Sequence, residues 1–144
     1  MKNVDLIKMK KVVEITKVRN LKKGKPNQCH YNSAMYAIEN NSNFVCGWYY
    51  SSGKFPIAHC INEKDGKYID TTLNKGGKFK IVHTYTAEEI GNIFNEVGQA
   101  FIPFIGTFKN GDYSEEYYVY NGTERVPKEK FKEWEQYIYE NRFE

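Results

Sequence analysis

The chain has 144 residues, 40% of them hydrophobic and 16% aromatic, enough apolar surface for one sizeable core and a single domain over residues 1–144. Its net charge of +3 is far from the basic excess of a nucleic-acid binder, and no run approaches the roughly 18 apolar residues of a membrane span. Three cysteines are an odd count, which argues against a closed disulfide framework and for free thiols in a reducing cytoplasm.

The first twenty residues, "MKNVDLIKMKKVVEITKVRN", are broken by charge every few positions and carry no apolar stretch of the kind a signal peptide needs. Residues 4–19 alternate loosely and read as one or two strands. The lysines at Lys8–Lys11 and Lys22–Lys25 read as a solvated edge and loop. In "LKKGKPNQ", Gly24 and Pro26 stop regular structure. Residues 29–40 read as a helix, with Tyr31, Ala34, Met35 and Ile38 on one stripe. Ser33, Tyr36 and Ala37 lie behind that stripe on the side of Cys29, so the helix should be sandwiched between other elements. Strands follow at 43–50, 56–62 and 67–72, joined by "SSGK" and "EKDG", and "KFKIVHTY" is a further strand. Thr86 and Glu89 match a capping box, which predicts a helix over 87–97. "AFIPFIGTF" is β-rich, with Pro103 confining it to an edge or bend, and "EEYYVYNG" reads as a strand. Pro127 suits the first turn of a last helix, buried through Phe131, Trp134 and Ile138. A helix, then an antiparallel meander, then helices, is an α+β order.

One constellation carries chemistry. Cys29 opens the first helix, His59 lies in "FPIAHCIN", and Asp70 closes "KYIDTTL". Asp65-Gly66 is a type I′ turn signal that pairs Lys64 with Lys67, so paired numbers sum to 131. Ile61 then faces Asp70 and His59 faces Thr72, with all four side chains on one face. Asp70 becomes the diagonal neighbour of His59, within side-chain reach. A three-residue loop would instead move Asp70 to the opposite face.

The helix dipole and a nearby imidazole both lower a thiol's pKa, and only the thiolate is nucleophilic. His59 would shuttle the proton and Asp70 would fix its tautomer. The amides of the first helical turn, with the side chain of Gln28 or Asn32, could form an oxyanion hole. His30 points about 100° away from Cys29 on the helix and pairs poorly with it. Cys46 and Cys60 alternate away from the site into the core, Cys60 opposite to His59, and His83 is structural. No CxxC or HxxxH spacing exists, so neither a metal nor another cofactor is expected.

These segments, "QCHYNSAM", "AHCIN" and "DGKYIDTTL", resemble the transglutaminase-like branch of the papain-like superfamily. That branch places Cys at a helix start, then His and Asp on adjacent antiparallel strands, with a characteristic Asp-x-Thr ending. The resemblance covers residues 28–72 and maps the nucleophile to Cys29, the base to His59 and the orienter to Asp70. The tryptophan usual near that family's nucleophile is absent, and Gln28 directly precedes the cysteine. The resemblance implies a papain-like core, with the cysteine-bearing helix packed on an antiparallel sheet. It also implies a thiol hydrolase acting on an amide or isopeptide bond of a protein or peptide through a thioester. Transglutaminase-type acyl transfer and glutamine deamidation are the alternatives. A third reading is a non-enzymatic binding module using exposed tyrosines such as Tyr49, Tyr50, Tyr117 and Tyr118.

Overall fold

The computed structural model describes residues 11–19, 21–26, 28–50, 56–103 and 117–140. The elements run β1 (Val12–Thr16), α1 (Cys29–Asn40), β2 (Asn43–Tyr50), β3 (Ile57–Lys64), β4 (Lys67–Ile69) and β5 (Gly77–Tyr85). Then come α2 (Ala87–Val97), β6 (Phe101–Ile102), β7 (Tyr118–Asn121), β8 (Glu124–Arg125) and α3 (Phe131–Glu140). This is an α+β arrangement. Strands β1-β4-β3-β2-β5 close into a small barrel, and β6-β7-β8 form a separate three-stranded sheet.

Barrel closure corrects the expectation of a purely antiparallel sheet. A ring of five strands cannot alternate direction all the way round, so one neighbouring pair must be parallel. That pair is β1–β4, while β1–β5, β5–β2, β2–β3 and β3–β4 are antiparallel. Closure also explains why β2 is buried along almost its whole length. Val45 and Tyr49 point into the barrel with Ile15, Ile61 and Phe79. Phe44, Cys46 and Trp48 point outward, into the core shared with the helices. Gly47 has to be glycine. A Cβ there would lie 2.1 Å from the Lys80 carbonyl oxygen, because β2 closes tightly on β5 beside a bulge at Cys46/Gly47.

The hairpin register is as the turn dictates. Lys64 pairs with Lys67 and Asn62 with Ile69, and Asp65 and Gly66 both take positive φ, at 53° and 82°. β4 ends at Ile69, three residues short of the predicted strand, because Asp70 turns its carboxylate back onto the amides of Thr72 and Leu73. α1 and α2 occupy the predicted spans, and the Thr86–Glu89 capping box is present.

The buried face of α1 is rotated from the predicted stripe. Asn32, Ser33, Ala34 and Ala37 are buried, whereas Ile38 is 44% exposed. Small side chains win this face because they let α1 lie close between the barrel and α2. Tyr31 reaches across to Phe94 of α2 with ring centroids 6.5 Å apart. Pro127 caps a short 3-10 turn, Lys128–Lys130, which leads into α3. Phe131, Trp134 and Ile138 of α3 are buried as expected, and Tyr139 packs on Trp48 of β2 at 5.6 Å between ring centroids.

Of the tyrosines read as exposed, Tyr49 is buried and Tyr50 half-buried, since both belong to the barrel strand. Tyr117 and Tyr118 are exposed. Residues 4–10 of the first predicted strand, Lys8–Lys10, the "SSGK" connection, residues 104–108 and Glu115–Glu116 lie outside the described residues. Among the described residues no helix is long and apolar enough to cross a membrane.

Candidate active site

The site forms where α1 meets the open edge of β3. β4 pairs with β3 only from Asn62 onward, so among the described residues no strand pairs with the earlier part of β3 on that side. α1 packs against β3. Gln28 occupies the N-cap position without a side-chain capping bond, and the first turn carries no acid. The helix's first amides and the positive end of its dipole are therefore left for another anion. α2 differs, because Thr86 caps it and Glu88 and Glu89 stand in its first turn.

His59 and Asp70 meet as the register requires. The Nε2 of His59 lies 2.8 Å from Oδ2 of Asp70, with the two side chains 5% and 0% exposed as residues. Oδ1 of Asp70 accepts hydrogen bonds from the backbone amides of Thr72 and Leu73, both at 2.9 Å. Burial pushes the Asp70 carboxyl up, but the His59 hydrogen bond and charge, with those two amides, outweigh burial and hold it below its ordinary value. With Nε2 given to Asp70, Nδ1 is the ring nitrogen left for the thiol. Under the imidazole lies the ring of Tyr49, its centroid 5.6 Å away, with its hydroxyl donating to the Gly76 carbonyl at 3.0 Å.

Cys29 is half-buried. The Cys60 thiol donates a hydrogen bond to its sulfur, the strongest single influence on it. Burial opposes ionisation, but the hydrogen bond and charge of His59 and the Cys60 backbone amide act with the Cys60 thiol. Together they lower the Cys29 thiol from an ordinary 9.0 to about 4. For His59, burial alone would lower the pKa. The hydrogen bonds to Asp70 and Cys29, and the charges of both, override burial and raise it from 6.5 to about 9. Between these two values the pair is a thiolate and an imidazolium. Cys46 has no such partner and is pushed up by burial.

Cys60 is core, as expected, yet it also touches the nucleophile. It lies in the outer cluster with Cys46, while His59 faces Tyr49 of the inner one. Cys29 is influenced by side chains from both faces of β3, His59 and Cys60, and by the strand's own Cys60 amide. Strand alternation separates Cys60 from His59 but cannot separate either from a group at the strand edge.

A buried polar network fixes the helix against the sheet. Asn62 Nδ2 donates to the Ser33 carbonyl at 2.8 Å, to Ser42 Oγ at 3.1 Å and to the Asn43 carbonyl at 3.2 Å. Its Oδ1 accepts from Thr71, whose hydroxyl also bonds Ser33 at 3.3 Å. Asn32 is committed in the same way. Its Nδ2 donates to the Lys25 carbonyl and to Thr72 Oγ1, and its Oδ1 accepts from the Lys25 amide. Both Asn32 amide hydrogens are engaged by protein acceptors. It staples the preceding loop, and Gly24 packs so closely on it that a Cβ would lie 2.2 Å from Asn32 Cγ. Gln28 remains half-buried beside Cys29, with the first-turn amides.

No family model, curated protein or solved structure matches this chain. The chemistry of the site therefore rests on its own geometry. Of the buried polar and charged side chains among the described residues, all except Lys80 belong to this junction: Asn32, Ser33, Ser42, His59, Asn62, Asp70, Thr71 and Thr72. Burying so many polar groups in one place is costly unless each is satisfied and the arrangement serves a purpose. His83 lies elsewhere, hydrogen-bonded through Nε2 to Asn121 at 3.0 Å. A surface groove of about 300 Å³ lined by Glu89, Glu96, Tyr120 and Arg125 contains none of the three candidate residues. Among the described residues no cluster of three or more His, Cys, Asp or Glu side chains could hold a metal ion.

Tyr49, Asn62 and Cys60 are the site residues that the sequence reading missed. For Tyr49 a signal existed. Gly47 pairs with His59, so Tyr49 is the diagonal cross-strand neighbour of the imidazole.

Proposed function

We propose that the chain is a cysteine-dependent hydrolase that cleaves an amide or isopeptide bond of a protein or peptide, with Cys29, His59 and Asp70 as its triad. The observation that carries this reading is the buried His59–Asp70 pair at 2.8 Å beside a helix-start thiol lowered to about 4. The Cys29 thiolate attacks the carbonyl carbon, and the first-turn amides of α1, with Gln28, receive the developing oxyanion. His59 gives its proton to the leaving amine, forming a thioester on Cys29. Water, deprotonated by His59, then releases the acid and regenerates the thiol. Asp70 holds the imidazole with Nδ1 toward sulfur and stabilises the imidazolium.

A papain-like core of the transglutaminase-like branch is part of the proposal. It is supported by the chain order, by a cysteine at the start of α1, and by His59 and Asp70 carried by adjacent antiparallel strands. The test incubates wild type and Cys29→Ala with cell lysate and compares products by mass spectrometry. New peptide termini that depend on Cys29 are expected. Glutamine deamidation or amine incorporation without new termini would replace hydrolysis by deamidation or acyl transfer.

A further inference from the structure

Three free thiols lie in a row across the site. Cys29 is half-buried at the start of α1, Cys60 is buried against it, and Cys46 is the cross-strand Cα partner of Cys60. Cys29 packs against the core cluster that holds both Cys60 and Cys46, and hydrogen bonding from the Cys60 thiol and backbone amide helps to lower the Cys29 thiol. Nothing in amide hydrolysis requires a second thiol at that place. An apolar side chain would fill the core equally well.

We propose that Cys60 is the resolving thiol of oxidised Cys29, so that a hydroperoxide converts the site reversibly into a Cys29–Cys60 disulfide. This rests on the reading of Cys29 as an activated nucleophile. Of the three sulfurs only Cys29 is accessible enough for a peroxide to meet first. Its thiolate attacks one oxygen of the hydroperoxide and the O–O bond breaks. Sulfur gives up two electrons to become a sulfenic acid, and the departing alkoxide or hydroxide takes the proton of His59. Cys60 sulfur then attacks Cys29 sulfur, the S–O bond breaks, and the hydroxyl leaves as water with the proton that Cys60 releases. Two thiols and one hydroperoxide thus give one disulfide, one alcohol or water, and one further water.

The arrangement contains its own trigger. Burial raises the Cys60 thiol, and the hydrogen bond to Cys29 and the charge on that sulfur add to the effect. Oxidation of Cys29 removes that charge, and with it one of the influences that keep Cys60 protonated, while burial still holds it up. A sulfenic acid without a resolving thiol goes on to sulfinic acid, which thiols do not reduce.

The test treats the full chain with a small molar excess of hydrogen peroxide, enough for two oxidations per Cys29, at neutral pH, followed by intact mass and peptide mapping without reductant. The expected result is a mass loss of about 2 Da, a linked Cys29–Cys60 peptide pair, and loss of Cys29 alkylation that dithiothreitol restores. Cys60→Ser, with Cys60→Ala as a second variant, should instead gain about 32 Da at Cys29 and lose the recovery. A Cys46–Cys60 bond, a Cys29–Cys29 dimer, or equal over-oxidation of wild type and variant would overturn the proposal. If wild type hydrolyses its substrate and still over-oxidises at Cys29, the resolving role alone fails. A Cys29 inert to peroxide and iodoacetamide alike removes the hydrolase reading with it.

Discussion

Replacing His59 by Ala takes from Cys29 both a hydrogen bond and a positive charge, while the Cys60 donors remain. The consequence is read from the rate of iodoacetamide labelling at Cys29 against pH. In the wild type a thiol at about 4 is ionised throughout pH 5–8, so the rate should be flat there, with its inflection near 4. In His59→Ala the inflection moves upward, toward the ordinary value of 9.0 as its limit. At pH 5, a thiol at that limit has about 10⁴-fold less thiolate than the wild type. Its greater basicity returns about 100- to 300-fold in nucleophilicity, since a thiolate's reactivity rises with its pKa with a Brønsted slope of about 0.4–0.5. The net loss at pH 5 is therefore at most about 30- to 100-fold, and it shrinks as pH rises. Labelling followed by peptide mapping separates Cys29 from Cys46 and Cys60, both held protonated by burial. A His59→Ala profile superimposable on the wild type would refute the ion pair, because imidazole would then contribute nothing to the thiolate.

Asp70→Asn removes the partner that raises His59, so the His59 ring titration, followed by NMR, should move down from about 9. Turnover should fall by about 10²–10⁴-fold, since the imidazole loses its orienter. Stability gives an independent check. Cys29 is depressed from 9.0 to about 4, so its contribution is present above the unfolded value and is lost as pH falls through the folded one. His59 is raised from 6.5 to about 9, so its contribution is complete below 6.5 and is lost as pH rises through 9. The two nearly cancel between pH 6.5 and 9, leaving a rise in stability with pH between about 4 and 6.5. In calorimetry, Cys29→Ala should reduce that slope by one proton's worth. An unchanged slope would contradict the depressed thiol. Asn62→Ala should cost about 1–3 kcal/mol for each partner left unsatisfied and shift the Cys29 inflection, because it loosens α1 from β3. Trp134→Ala on α3 should cost about 3–5 kcal/mol and leave the inflection in place, since none of the groups that set the Cys29 thiol is on α3.

How far the sequence reveals this molecule depends on how local each signal is. The Asp65-Gly66 turn and the Thr86–Glu89 box are short-range devices, and they set a hairpin register and a helix start that the structure reproduces. His59 and Asp70 meet because that register is local. Barrel closure is not local. It requires β1 to bridge β4 and β5, segments that lie more than fifty residues further along the chain. The rotation of α1 depends on what packs against it, so apolar periodicity chose Ile38 where tertiary packing chose Ser33 and Ala37. Asn32 looked like a free amide because its partners, Lys25 and Thr72, come together only after folding. Cys60 was hidden by strand alternation, which says which face a side chain takes and nothing about what lies along the edge.

In the proposed reaction the substrate carbonyl becomes covalently attached to Cys29. An acid-quenched incubation of the protein with lysate, digested and mapped at the Cys29 peptide, tests it most directly. A hydroxylamine-labile acyl mass on Cys29 is expected in the wild type. In Cys29→Ala both that adduct and the new termini should be lost. An unmodified Cys29 peptide, with the same new termini produced by Cys29→Ala, would contradict it.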